Sequence, residues 1–95
     1  MIEAVLRRCG LNVCSGEMGL ADLKHHTGLG RPVLCPIAYG GGHWVVVSGV
    51  SRGGVFFHCP DRGPQRLREH AWTVNWRDTS TKGVEYDHWG IATWP

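Results

Sequence analysis

No run of apolar residues in this 95-residue chain is long enough to cross a membrane, and none forms a signal core, since Met1 to Leu6 is followed at once by Arg7-Arg8. The expectation is a cytoplasmic protein without membrane contact, with incorporation into a viral particle left open. Runs of like charge are absent too. Ten basic and eight acidic residues give a formal net charge of +2, and their interspersion argues against a nucleic-acid partner. Repeats, low-complexity tracts and long linkers are also missing, so residues 1–95 read as a single domain with one modest core.

Cysteine is present four times, at Cys9, Cys14, Cys35 and Cys59. Without a secretory signal these read as reduced, mostly buried thiols rather than as a disulfide framework. Fourteen glycines supply tight turns, and five tryptophans, at 44, 72, 76, 89 and 94, place the core mostly in the second half of the chain around a small sheet.

Periodicity then divides the chain into elements. Ile2 to Cys9 carries Ile2, Val5, Leu6 and Cys9 at helical spacing, with Gly10 as its stop. Leu11 to Cys14 reads as extended, Ser15-Gly16 as a turn, and Leu20 to Thr27 as a second helix ending at Gly28, with His25-His26 on its exposed end. Pro32 to Ala38 reads as a strand that Pro36 restricts to an edge or an early break. Val45 to Val50 and Val55 to Cys59 are β-branched and aromatic runs around Ser51-Arg52-Gly53-Gly54, a hairpin signature. Pro60 to Pro64 reads as a turn, Leu67 to Trp76 as a helix and Trp89 to Trp94 as a closing strand.

His43 opens the hairpin, and a titratable ring at the mouth of a strand is a site candidate. Two registers are open. If Arg52-Gly53-Gly54 forms the loop, Ser51 pairs with Val55 and His43 shares a face with Cys59 and Asp61; if all four residues loop, Val50 pairs with Val55 and His58 joins His43 instead.

The order of these segments, with Gly30-Arg31-Pro32-Val33, His43-Trp44-Val45-Val46-Val47 and Cys59-Pro60-Asp61-Arg62-Gly63, resembles the C-terminal part of a papain-like domain, that of the double-glycine leader peptidases attached to bacteriocin exporters. The resemblance covers most of the chain. It implies an α+β fold, a small antiparallel sheet with flanking helices, truncated to a papain-like half-domain. It also implies a thiol nucleophile at a helix start, a histidine base and a polar group that orients the imidazole.

Carried across, the histidine is His43. The acid position falls on Cys59, a departure from the family pattern, and Asp61 stands two residues later as its substitute. The family's cysteine helix and oxyanion glutamine are expected to precede the matching segment; Cys9-Gly10 is similar to the cysteine-glycine pair that opens that helix, and on that resemblance Cys9 is the candidate nucleophile. Trp44 and His58 are candidate binding residues.

The favoured reading is a non-catalytic module that binds a protein or peptide, forms a homo-oligomer or packs into a larger assembly, with a phage or mobile-element origin unsurprising. An active thiol peptidase, using His43 with Cys9 or a cysteine from another chain, is the first alternative. A small zinc domain built from Cys9, Cys14, His25 or His26, and Cys35 is the second, weak because Cys-x4-Cys has no second close pair. No metal and no cofactor are assigned.

Overall fold

In the computed structural model, which describes residues 2–38, 42–78 and 86–95, the chain is α+β: a six-stranded antiparallel sheet with three helices. Helix α1 (Ile2–Arg8) leads into β1 (Asn12–Glu17), followed by α2 (Leu20–Gly28), β2 (Val33–Ile37), β3 (His43–Ser51), β4 (Gly54–Cys59), β5 (Gly63–Leu67) and α3 (Glu69–Asn75). A two-residue pair, β6 (Arg77–Asp78) with β7 (Tyr86–Asp87), stands apart from the main sheet, and β8 (Trp89–Trp94) returns to it. The strand order is β1-β8-β2-β3-β4-β5.

Alternation along β2, β3 and β4 sorts the side chains between two faces. Val33, Cys35, Ile37, Val45, Val47, Val55, Phe57 and Cys59 turn to one face and are almost wholly buried there. Leu23 of α2 with Trp72 and Trp76 at α3 completes that cluster, so both helices cover the same side of the sheet. The core therefore draws on both halves of the chain rather than on the tryptophan-rich second half. Trp76 donates its indole N–H to the Trp89 carbonyl at 2.8 Å, tying α3 to β8.

The opposite face carries Leu34, Trp44 and Val46, all half-buried, and Phe56, which is 38 % exposed. Neither α2 nor α3 lies over it, and α1, with Val5 56 % exposed, packs against β1.

Several elements depart from expectation for local reasons. Ser15-Gly16 continues β1, because β8 pairs with it along its whole length from Asn12↔Trp94 to Glu17↔Trp89. β2 is internal, yet β8 pairs with it only at Val33 and Leu34. Pro36 thus sits where β2 has a partner on one side alone, the setting proline tolerates. Gly63–Leu67 is a strand rather than a turn and the start of a helix: β4 recruits it through five cross-strand pairs despite Pro64 and its lack of β-branched residues. The thiols divide evenly: Cys35 and Cys59 are buried, whereas Cys9 and Cys14 are exposed, and all four are free.

Candidate functional site

The hairpin turn is Arg52-Gly53, closed by Ser51↔Gly54 and Val50↔Val55. Continued without a break, that register would have put His58 on the face of His43. A bulge at Ser48 intervenes: pairing moves from Gly49↔Phe56 to Val47↔Phe57, and the Ser48 hydroxyl donates to the Phe56 carbonyl at 3.3 Å. The extra residue restores the other phase for the first half of β3. His43, entered through Gly42 at φ +94°, a left-handed conformation that suits glycine, then lies on the face of Val45, Cys59 and Asp61. His58, opposite Val46, turns to the open face.

The structure brings His43 and Asp61 together, with Nδ1 3.8 Å from Oδ2. This is ion-pair distance, longer than a hydrogen bond. The imidazole is 24 % exposed and the carboxylate 74 %, so the pair stands at the solvent margin of the core, where a carboxylate can orient a ring.

Thiols are placed differently. Cys9 follows α1 and precedes Asn12, which pairs with Trp94; Ala92 pairs with Val33, four residues from the Ile37↔His43 row. Asn12 is thus about 20 Å along the strands and about 14 Å across them from His43, and Cys9 precedes it at that far end. Cys14 is exposed on β1, three strands away. Cys35 and Cys59 are nearer, on the strands flanking β3 and on the face of His43, but they are 0 % and 3 % exposed. Burial pushes the Cys35 thiol far above its ordinary range, against a smaller opposing interaction with Trp76, so it holds its proton and is a poor nucleophile. Among the described residues, no cysteine is both near His43 and open to solvent.

Trp44 is half-buried on the open face, with His58 exposed beside it. Among the described residues no three His, Cys, Asp or Glu side chains converge as a metal site, and the residues considered for zinc are spread over the turn after α1 (Cys9), β1 (Cys14), α2 (His25 and His26) and β2 (Cys35).

His26 is not on an exposed helix end: it is 9 % exposed, and Arg31 reaches back to it, Nη1 to Nδ1 at 3.4 Å, while the same guanidinium lies 3.9 Å over the Trp94 ring. Arginine can only donate, so Nδ1 accepts and the imidazole is neutral. Burial, then the charges of Arg31 and His25, lower the His26 pKa, with Asp22 opposing them. A histidine whose folded pKa lies below its unfolded value of 6.5 contributes stability present above that pH and lost as pH falls below it through the lower folded value. The midpoint of thermal unfolding is therefore expected to drop between pH 7.5 and 5.5, and His26→Gln to flatten that slope; an unchanged slope would show that His26 does not drive it. The signal legible in advance was Arg31 five residues after His26, across the helix end.

Compared with protein families, curated proteins and solved structures, the chain matches none, so what it does has to be argued from its own residues.

Proposed function

We propose that this chain is a non-catalytic, papain-like module in which the histidine and its orienting carboxylate persist without a working thiol, and which binds a protein or packs into a larger assembly. The observation that carries the first half is the separation just described: His43 has Asp61 beside it, while the exposed cysteines lie at the far end or edge of the sheet and the near ones are sealed in the core. A His–Asp pair without an accessible nucleophile cannot open an amide by covalent attack.

Supporting the second half is the half-buried strip of Leu34, Trp44 and Val46 on β2 and β3, beside the fully buried Pro36 and Ile91 of the same face. A layer of sheet normally buries its apolar face against something, and here one face is left half-open. β1 adds an edge with pairing on one side only and no proline to blunt it. Beside this stands the reading of an active peptidase whose thiol comes from another chain, which the ready-made His43–Asp61 pair favours.

Alkylation with iodoacetamide at neutral pH separates the two. In the isolated protein, Cys9 and Cys14 are expected to react at the rate of ordinary exposed thiols, Cys35 and Cys59 to be protected, and His43→Ala to change none of these rates. A single hyper-reactive thiol that slows on His43→Ala would overturn the non-catalytic reading. Sedimentation of the native chain and of Val46→Glu then tests the strip: an assembly that the substitution dissociates supports it as an interface, whereas an assembly that survives places the contact elsewhere.

A further inference from the structure

The sequence has no basic run because its cations are dispersed, but the fold gathers four of them at one corner. Lys24 projects from α2, Arg52 stands in the β3–β4 turn, Arg66 lies on β5, and Arg68 caps α3. Lys24 and Arg52 line an open groove of about 270 Å³ floored by Leu20 and Val50, where Glu69 is the one carboxylate. Arg66 reaches the same tip: its Nη1 lies 3.3 Å from where a Cβ on Gly53 would sit, and the Arg68 Cα lies 2.9 Å from the corresponding point on Gly54. Among the described residues, none of these four cations has a carboxylate at ion-pair distance.

An aromatic ring stands beside one of them. Phe56 pairs across strands with Arg66, its Cζ is 3.6 Å from the same Gly53 position, and it is 38 % exposed. A partly exposed phenylalanine beside a guanidinium offers a flat apolar surface backed by positive charge.

We propose that this corner binds single-stranded nucleic acid, with Lys24, Arg52, Arg66 and Arg68 on successive phosphates and Phe56 stacked against a base. Phosphates answer to dispersed cations without demanding a fixed geometry, and a base face answers to an aromatic ring of any sequence context. The cations also straddle the hairpin tip, since Arg66 shares the open face with Phe56 while Lys24 comes from the helix-covered side. A flexible strand can follow that path, but a stiff duplex would have to bend around it. The corner is independent of His43 and of the apolar strip on β2 and β3.

The test is fluorescence anisotropy of a labelled oligo(dT) and a labelled oligo(U) titrated with the intact protein at about 50 mM salt. Binding is expected to weaken about tenfold on Phe56→Ala and several-fold on Arg52→Ala or Arg66→Ala, with little change on Arg7→Ala. Four phosphate contacts predict a slope of log affinity against log salt near −3, from about −0.7 per contact. All of the replaced side chains are exposed, and circular dichroism of each variant verifies that the fold is retained. Absence of binding at low salt overturns the proposal. So does equal binding of a duplex with no effect of Phe56→Ala, which marks a general polyanion surface, or equal competition by polyglutamate, which marks a site for acidic protein.

Discussion

Replacing Gly54 with alanine is expected to destabilise the fold by about 3 kcal/mol or more, a large part of the stability of a small domain. Gly54 is buried at φ +118°, and a Cβ there would come 2.1 Å from the Leu67 carbonyl oxygen and 2.9 Å from the Leu67 carbonyl carbon and the Arg68 Cα. All three are backbone atoms of the chain where β5 passes into α3. Relief would require parting β4 from β5, which are joined by five cross-strand pairs. Gly53, its neighbour, is the control. A Cβ there meets the guanidinium of Arg66 at 3.3 Å, and a flexible head group can swing aside, so Gly53→Ala is expected to cost under about 1 kcal/mol. Urea unfolding followed by tryptophan fluorescence measures both, and a cost below about 1 kcal/mol for Gly54→Ala would refute the clash.

The second large effect concerns two tryptophans four residues apart. Trp72 is 0 % and Trp76 1 % exposed, with ring centroids 5.6 Å apart and Phe57 5.5 Å from Trp72. Truncation of either to alanine is expected to cost about 3–5 kcal/mol through lost burial and the cavity left behind. Phenylalanine separates them. Trp76→Phe strips the Trp89 carbonyl of its indole donor, whereas the Trp72 indole N–H is buried and has no partner among the described residues. Removing an unsatisfied donor offsets part of the lost volume. Trp72→Phe is therefore expected to be milder than Trp76→Phe by about 1–2 kcal/mol. The reverse order in denaturant unfolding would show that the Trp72 N–H is satisfied in solution.

Much of the fold was legible where side-chain type and burial agree. Val45-Val46-Val47 and Val55-Phe56-Phe57 announced β3 and β4, and Leu20, Leu23 and a following Gly28 announced α2, because β-branched runs and helical spacing are local signals. What escaped was set by partners distant in sequence. Gly63-Pro64-Gln65-Arg66-Leu67 has no strand composition and becomes a strand only because β4 offers a free edge. His26 looked like an exposed helix end until Arg31 and Trp94 closed over it. The site was legible to the point of ambiguity: both registers of the hairpin were in view. The deciding residue, Ser48, carried no signal of its own, and the hint lay beside it in Gly49, a lone glycine inside a strand pattern. The gathering of Lys24, Arg52, Arg66 and Arg68 was invisible to any scan for a basic run, since the middle of α2, a hairpin turn, an edge strand and the start of α3 assemble it.

That single bulge also shapes how the chain can change over time. β3 presents odd-numbered residues inward before Ser48 and Val50 inward after it. A lineage that lost one codon at this point, with the turn held in place, would carry the first half of the strand over to its other side. Trp44 and Val46 would enter the space now filled by Val45 and Val47, and His43 would leave Asp61 for the company of His58. Insertions and deletions here are thus far more consequential than substitutions, and the length of this one strand guards both the core and the pairing of its histidine.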